Sequence, residues 1–424
     1  MYLNRARRVT DVYTTLMLGV FPLFWGFEGY DAVTESKFWF FVGATGLWLL
    51  AAAALLVAGA VRGERYAVSI RAGHLFMGLF LVMGAFSAVT SEFGAVCFLG
   101  ASRNTGYLTT VLYALVFFGV SWLGTPRREH IWAMAVAVTV SCVIAIFQLL
   151  GHNPLHLFPE GTNYYDKYVL WAAAFLGSMG NVGTFSAHLC LCVPVLTAFA
   201  LRSPHKRDKL YLLPAALGLV LMALCEVEAG LLGALVSLLV SLPVLMRSPR
   251  RTLAAGCVSG GVTLTGLGTL YFWPGSSGTL WEMSRVLHGE LLDSFGSHRG
   301  QIWKRCWELF KERPWLGHGP GTAAKILDIT WEGEYYIAHV DNTHNVYLGH
   351  LIEIGLVGAL AYVAAAFCAA LSWLRRRDDD LIAALGCGFI AYLVQDFFGL
   401  GLSLTAPMLF VIWGLLESEP LPPC

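Results

Sequence analysis

The sequence predicts an all-α protein that crosses a membrane about twelve times, and three observations support this fold class. Of the 424 residues, 57% are hydrophobic and 13% are charged, whereas an ordinary soluble domain has roughly 25% charged residues. Apolar runs of about 18 residues or more, each long enough to cross a hydrocarbon core roughly 30 Å thick, recur along the chain. The linkers between these runs alternate between rich and poor in lysine and arginine. A water-soluble globular protein is excluded.

The overall charge indicates which partners the protein has. Twenty-eight lysines and arginines match 28 aspartates and glutamates, so the formal net charge is zero. Because no global basic field exists to attract nucleic acid, we expect no nucleic-acid partner. The expected partner is the lipid bilayer, and any charged ligand has to bind at a local patch.

The first predicted span, 12–29, follows Arg5, Arg7 and Arg8. No small-residue cleavage site comes after it and a second apolar run begins at once, so we expect a retained helix. Polar and turn-forming residues separate the later runs. The twelve predicted spans are 12–29, 38–61, 72–90, 107–124, 130–150, 181–201, 210–225, 229–246, 252–273, 346–374, 381–397 and 402–417.

The linkers predict the orientation of these spans. One alternating set contains eighteen cations and the short linkers of the other set contain three. Lysine and arginine in short loops stay on the cytoplasmic side, so both termini are expected in the cytoplasm of a bacterial inner membrane. The cation-rich set is Arg5, Arg7, Arg8, Arg62, Arg65, Arg71, Arg127, Arg128, Arg202, Lys206, Arg207, Lys209, Arg247, Arg250, Arg251, Arg375, Arg376 and Arg377, and the other set is Lys37, Arg103 and Lys167.

This orientation divides the chain into three parts. Residues 1–273 form nine spans with a small external segment near 151–180, and residues 346–424 form the last three. Between them lies a segment of about 70 residues, 274–345, that the alternation places outside the cell membrane. Long loops are where function concentrates, so we expect the catalytic residues there.

The external segment contains a predicted amphipathic helix over residues 297–313. At 100° per residue an apolar stripe forms on one side, while Lys304, Arg305 and Glu308 fall opposite. Such a helix would lie along the membrane surface with its aromatic face down, and Pro314 would end it. The stripe consists of Ile302, Trp303, Cys306, Trp307, Leu309 and Phe310.

Arg299 breaks this pattern, because it lies near the centre of the stripe, in line with Trp303, Cys306 and Phe310. The side chain could simply extend to water or cap a carbonyl. The alternative is that it holds a phosphate at the membrane surface. A guanidinium suits that task because its planar fork donates two hydrogen bonds and stays charged.

A polar cluster from His339 to Asn345 directly precedes the tenth span. Histidine has a pKa near neutrality, so His344 could accept a proton from a hydroxyl nucleophile, and Asp341 could orient it. An ordinary polar turn or helix cap would have the same composition. The Gly/Pro-rich stretch 317–322 fits neither a P-loop nor a dinucleotide fingerprint and is interpreted as a turn.

Further carboxylates lie within or beside spans. Glu353 and Asp396 are ionisable groups in apolar surroundings, which usually face a bundle interior. Glu226 and Glu228 form an ExE pair at an external turn. Such a pair could bind a divalent cation, although a turn needs polar residues in any case, and we expect no metal site.

The order of these features resembles the O-antigen ligase and polymerase superfamily of bacterial membrane glycosyltransferases. The resemblance extends over about residues 150–400. It rests on MGNVGTFSAHL at 179–189, SHRGQIW at 297–303, RPWLGHGPGT at 313–322, THNVYL at 343–348, EIGLVG at 353–358 and QDFF at 395–398.

This resemblance implies a GT-C-like fold and transfer of an oligosaccharide from undecaprenyl diphosphate to an acceptor hydroxyl on the outer face of the cytoplasmic membrane. It implies that Arg299 binds the donor diphosphate and that His344 activates the acceptor, which may be lipid, glycan or protein. A diphosphate can leave the sugar without a proton from a general acid if its developing negative charge is neutralised, so neither a metal nor a cofactor is expected. The other expected substrate contacts are His339, Asp341, Asn345, Arg285 and Arg103.

One motif departs from the family pattern. Members commonly carry Ser-Arg-Gly-Ala at the outer start of a mid-chain span, where this chain has Val227, Glu228, Ala229 and Gly230. Another cation, Arg103, Arg285 or Lys304, could replace the missing arginine, a metal could bridge Glu228 to phosphate, or the activity could differ. Polymerase and protein O-oligosaccharyltransferase activities remain alternatives, and a transporter or a non-catalytic homologue is less favoured.

Overall fold

The computed structural model describes residues 1–26, 29, 32–157, 177–330 and 337–419. Sixteen α-helices and a short β-hairpin form the described chain. The first ten helices are α1 (Tyr2–Thr15), α2 (Val33–Val61), α3 (Ala72–Thr90), α4 (Val96–Leu99), α5 (Tyr107–Leu123), α6 (Arg128–Leu149), α7 (Val182–Arg202), α8 (Leu212–Leu224), α9 (Glu228–Leu245) and α10 (Pro249–Tyr271).

The external segment and the last helices complete the chain. The segment is not a plain loop, because it contains three helices and a hairpin, and the hairpin is a departure from the all-α prediction. Its antiparallel strands pair Asp328 with His339 and Thr330 with Ile337. The elements are α11 (Thr279–Leu287), α12 (Phe295–Glu312), α13 (Ala323–Ile326), β1 (Asp328–Thr330), β2 (Ile337–His339), α14 (Val346–Arg375), α15 (Asp380–Asp396) and α16 (Ala406–Glu417).

Each predicted apolar run overlaps a helix among the described residues, although the first run, 12–29, shares only residues 12–15 with α1. Seven of the described helices are long and apolar enough to cross a membrane, and two shorter apolar helices are α5 and α16. The structure therefore supports a multi-span helical protein, while the number of twelve spans stays a prediction. Most of the external segment near 151–180 lies outside the described residues.

The first helix begins ten residues earlier than predicted. The carboxylate of Glu64 accepts hydrogen bonds from the backbone N–H groups of Tyr2, at 2.9 Å, and Leu3, at 3.2 Å. These bonds satisfy N–H groups that the first turn of a helix leaves free. The hydropathy pattern placed the start after the arginines, but arginines on a helix face do not prevent helix formation. A π-helical turn at Leu16–Val20 and a 3-10 turn at Phe21–Leu23 continue α1.

The most extensive helix packing involves one pair of helices and one group of three. Helix α14 packs along α3, and α15 packs between α7 and α9. Buried aromatic side chains such as Trp373, Tyr392 and Trp413 fill the interior. By contrast, most residues of α10 are exposed, and α2 carries exposed apolar side chains such as Trp39 and Leu47. Apolar faces of that extent are costly in water, and lipid tails would cover them in a bilayer.

The apolar stripe of α12 does not face away from the protein. Ile302, Cys306 and Leu309 are buried against Leu327 and other residues of the external segment and against α14. The prediction of an aromatic face lying on the membrane is therefore wrong for most of the stripe. Among the described side chains of the stripe, only Trp307 is more than half exposed, at 54%.

The regular part of α12 begins at Arg299. Gly296, Ser297 and His298 have positive φ angles of 56°, 61° and 70°, so the chain turns sharply before the helix. The predicted helix at 297–313 is thus confirmed with a start two residues later. It ends at Glu312, before Pro314, as predicted.

A kink in α14 holds the Gly/Pro-rich turn in place. Gly355 has φ = 77°, and a Cβ atom there would lie 2.2 Å from the carbonyl oxygen of Trp315. Gly317 likewise has φ = 68°, and its Cβ would lie 2.4 Å from the carbonyl carbon of Glu353. Only glycine combines such backbone angles with so close an approach. The turn at 317–322 therefore packs tightly against the first third of α14.

Candidate active site

Arg299 lies in the first turn of regular helix in α12 and is half-buried. Burial lowers the pKa of its guanidinium, and the carboxylate of Glu228, at the start of α9, opposes that shift. A guanidinium remains charged at neutral pH even so. The arginine is thus a partly desolvated cation with a carboxylate nearby.

His344 lies two residues before α14 and has φ = 50°. Its backbone N–H donates to Oδ1 of Asn342 at 3.0 Å, which fixes this turn. Burial lowers the pKa of His344 to about 4, the charges of Arg299 and Arg103 lower it further, and Asp341 acts in the opposite direction. The imidazole is therefore neutral at pH 7, the form that accepts a proton.

A direct hydrogen bond joins the two elements that carry these residues. The indole Nε1 of Trp303, one turn after Arg299, donates to the carbonyl oxygen of Thr343, beside His344, at 3.2 Å. The positive charge of Arg299 lowers the pKa of His344, which agrees with this contact between the two elements. The hydrogen bond thus brings the elements that carry the cation and the imidazole into one region.

Arg103 joins this region from a different part of the chain. Its guanidinium forms an ion pair with Asp341 at 2.9 Å, and both side chains are about 40% exposed. The loop that carries Arg103 is anchored to the Gly/Pro-rich turn, because Ala101 N–H donates to the carbonyl of Gly321 at 2.9 Å. An ion pair this exposed contributes at most about 1 kcal/mol, so an incoming anion can replace it.

The other two cations considered as replacements for the missing arginine are engaged elsewhere. Arg285, on α11, pairs with Glu290. Lys304 pairs with Asp293 at 2.6 Å. Of these three cations, Arg103 is the one whose charge acts on His344.

Two predicted substrate contacts have local structural partners. The side chain of Asn345 is buried and caps α14 by accepting from Leu348 N–H at 3.0 Å. His339 lies in β2, and its Nδ1 is 2.6 Å from a carboxylate oxygen of Asp328 on β1. The ring of His339 is largely exposed.

Glu353 has a role that the sequence did not indicate. Its Oε1 accepts from Ala323 N–H at 3.2 Å, and the backbone amides of Gly321 and Thr322 also donate to the carboxylate. The carboxylate thus binds the same turn that the kink at Gly355 holds. Glycine spacing within 317–322 gave no signal for this contact, because the partner lies thirty residues later.

A cavity of about 100 Å³ extends from the region of Asp341 into the bundle beside this turn. Asp341 and Thr343 line it together with residues of the interior such as His350 and Tyr392. Asp396 also lines it, buried, with Oδ1 lacking a hydrogen-bond partner among the described residues. The prediction of an inward-facing carboxylate thus holds for Asp396, whereas Glu353 binds the turn at 317–322.

The ExE pair is not part of a larger ligand cluster. Glu226 and Glu228 are both exposed, and the described residues contain no group of three or more histidine, cysteine or acidic side chains placed to hold a metal. The carboxylate of Glu228 acts instead on Arg299.

Chemically, the region combines two guanidinium groups with an unprotonated imidazole. Arginine pairs are suited to a phosphate or diphosphate, since each guanidinium can donate two parallel hydrogen bonds to its oxygens. A neutral imidazole beside them can accept a proton from a hydroxyl. The arrangement fits group transfer from a phosphorylated donor to an alcohol.

Comparison with known proteins gives two matches. The sequence model of the family described as O-Antigen ligase matches residues 172–363. An O-antigen ligase from Pseudomonas aeruginosa is 31% identical over 101 residues, which are 23% of this chain and 24% of the relative. The match thus spans about a quarter of that relative. Residues 172–363, which include Glu228, Arg299 and His344, are thus similar to the O-antigen ligase family.

Proposed function

We propose that this protein is a glycosyltransferase that moves an oligosaccharide from undecaprenyl diphosphate to an acceptor hydroxyl on the outer face of the bacterial cytoplasmic membrane. One observation carries the proposal. The hydrogen bond from Trp303 to Thr343 joins the two elements that carry Arg299 and His344, and the charge of Arg299 acts on His344. The match of residues 172–363 to the O-antigen ligase family model agrees with ligase-type chemistry.

In this proposal the arginines bind the diphosphate. Arg299 and Arg103 neutralise the charge that develops on the leaving diphosphate as the bond from the sugar C1 to the phosphate oxygen breaks. Charge stabilisation of this kind is usually the largest catalytic contribution. The ion pair between Arg103 and Asp341 opens when the diphosphate binds.

His344 acts on the acceptor. Its neutral imidazole accepts the hydroxyl proton as the acceptor oxygen forms the new bond to C1, and it then releases that proton to water. Asp341 carries a negative charge close to the imidazolium that forms, which stabilises it. The reaction needs no nucleotide, since the donor arrives activated.

Glu228 sets the strength of donor binding. Its carboxylate competes with the diphosphate for Arg299. The family arginine at this position would attract the same anion, so a chain with glutamate binds the donor through Arg299 and Arg103 at a lower affinity. This departure also makes a non-catalytic homologue the alternative that the experiment has to exclude.

Reconstitution with an undecaprenyl-diphosphate oligosaccharide tests the proposal. The purified protein is offered a lipid-linked core, a free glycan and a hydroxyl-containing peptide, and glycan transfer is measured for each. We expect transfer to one acceptor class, and at least a hundredfold loss in His344→Ala and in Arg299→Ala.

Two matched variants control for general damage. Arg305→Ala removes an arginine from the opposite side of α12, and His205→Ala removes an exposed histidine from another linker. Both should keep wild-type transfer. Equal activity of Arg299→Ala, His344→Ala and the controls would rule out the mechanism, and no transfer by the wild type to any acceptor would favour the non-catalytic alternative.

A further inference from the structure

A second cavity, of about 720 Å³, lies between α7, α8 and α9 and shares no lining residue with the cavity beside Asp341. Its volume is typical of a site for an organic ligand. The walls are mainly aliphatic. They include Val193, Ala198, Leu201, Leu219, Leu231, Ala234, Leu235, Leu238, Leu242, Leu245 and Met246.

The cavity is elongated along α9. Its lining runs from Leu231 to Met246, and fifteen residues of helix at 1.5 Å per residue span roughly 22 Å. This is more than half of a hydrocarbon core roughly 30 Å thick. An apolar space does not retain ordered water, so an extended hydrocarbon chain is the occupant that fits it.

Arginines line one end of the cavity. Arg202, Arg247 and Arg251 belong to the lining, which contains no carboxylate among the described residues. Asp380, just outside, lies 2.9 Å from Arg202 and 2.8 Å from Arg247. One carboxylate is therefore shared by two guanidinium groups, and Arg251 adds a third positive charge. This end of the cavity has an excess of positive charge.

The same end lies at the start of α10. Ser248 caps that helix by accepting from Arg251 N–H at 3.3 Å, and the helix runs for 23 residues to Tyr271. The N-terminus of a long helix carries a partial positive charge that favours anions. The helix end and Arg251 thus attract a negative group to the same place. Linker charges place this end on the cytoplasmic side.

We propose that this cavity binds an anionic phospholipid of the cytoplasmic leaflet. One acyl chain lies along α9, and the headgroup phosphate contacts Arg251 and the free donors of Arg247. Basic pockets between transmembrane helices on the cytoplasmic side suit such headgroups. The uncharged end of a polyprenyl chain has no need of three arginines, and a choline headgroup brings a cation of its own.

Native mass spectrometry of the detergent-solubilised protein tests the proposal. The probes are phosphatidylglycerol and phosphatidylcholine with identical acyl chains, added in equal amounts. We expect the wild type to retain the anionic lipid at least fivefold better. Arg251→Gln should lose most of this preference, and Arg251→Lys should keep it. The exposed cytoplasmic arginine variant Arg377→Gln is the matched control and should behave as the wild type.

A variant of the wall tests the position of the acyl chain. Ala234→Phe fills the cavity and should abolish the increase in melting temperature that phosphatidylglycerol gives the wild type, because a ligand stabilises only a protein that binds it. Leu264→Phe, on the exposed face of α10, should leave the increase unchanged. If Ala234→Phe does not fold, the comparison of Arg251→Gln with Arg251→Lys tests the proposal instead.

Three results would overturn the proposal. One is equal retention of both lipids by the wild type, and another is the same loss in Arg377→Gln as in Arg251→Gln. The third is an Ala234→Phe protein that keeps the phosphatidylglycerol response but binds an undecaprenyl-diphosphate donor more weakly in detergent, which would assign the cavity to the donor tail.

Discussion

His344 is kept neutral by its surroundings, and its neighbours shift its pKa in opposite directions. Burial and two arginines lower that pKa, and Asp341 raises it. A base with such a low pKa is unprotonated at neutral pH and stops accepting protons only in acid, where it is already protonated. An anionic donor beside Arg299 should raise the pKa again, because it offsets part of the positive charge.

The pH dependence of transfer follows from these shifts. With a pKa of about 4 for the free protein, kcat/KM for the donor should be level from pH 8 to pH 5 and fall as His344 gains a proton at lower pH. Arg103→Gln removes a positive charge, so the acid limb should move to higher pH. Asp341→Asn removes a negative charge, so it should move to lower pH. Rate profiles of the three proteins check this, and shifts of the same sign in both variants would contradict it.

Glu228 gives a second prediction at the scale of one side chain. Glu228→Gln removes a negative charge that acts on Arg299, so the KM for a diphosphate donor should fall, by roughly fivefold for an exposed charge. Glu226→Gln serves as the control, because it changes the same charge in the same turn. Donor titrations of the two variants distinguish them. An unchanged KM in Glu228→Gln would mean that the carboxylate does not oppose the donor.

At the scale of elements, the contact between α12 and the start of α14 positions the site. Trp303→Phe keeps an aromatic ring but removes the hydrogen bond to Thr343. Loss of one such bond costs about 1 kcal/mol, and we expect a several-fold lower kcat with little change in melting temperature. Trp307→Phe, on the exposed side of α12, should leave kcat unchanged. Equal kcat values for the two variants would show that this bond does not position the site.

The kink of α14 gives a prediction about stability. Gly355→Ala places a Cβ at a positive φ and 2.2 Å from Trp315 O, so it should destabilise the protein by about 1–3 kcal/mol. A lower melting temperature and reduced transfer are expected together. Gly260→Ala is the control, since a Cβ there has open space in α10. A wild-type melting temperature for Gly355→Ala would mean that the turn and α14 adjust freely.

The sequence predicted the helices well because span length and apolar content are local properties. It also predicted the helical register that aligns Arg299 with Trp303. Periodicity shows which face of a helix is apolar but not what covers it, so the stripe of α12 was wrongly assigned to the membrane. The contact of Glu353 with the turn at 317–322 and the pairing of Arg103 with Asp341 join distant parts of the chain. Such contacts leave no local pattern.

At the scale of the whole molecule, two groups of arginines lie at different ends of the bundle. Arg299 and Arg103 belong to the proposed catalytic face, and Arg202, Arg247 and Arg251 lie at the end predicted to be cytoplasmic. The proposed function needs this separation, because the donor and acceptor meet outside while short basic loops remain inside.

Fusions of reporter proteins check this topology. Alkaline phosphatase is active outside the cytoplasmic membrane, and green fluorescent protein fluoresces when fused on the inside. A fusion after residue 290, in the external segment, should give phosphatase activity without fluorescence, and fusions after residues 248 and 377 should give the reverse. The physical reason is the excess of lysine and arginine in the cation-rich linkers, which contain residues 248 and 377 and resist translocation. Phosphatase activity at 377 would mean that the last spans are inverted and that His344 lies in the cytoplasm, away from the donor and acceptor on the outer face, which would contradict the proposed reaction.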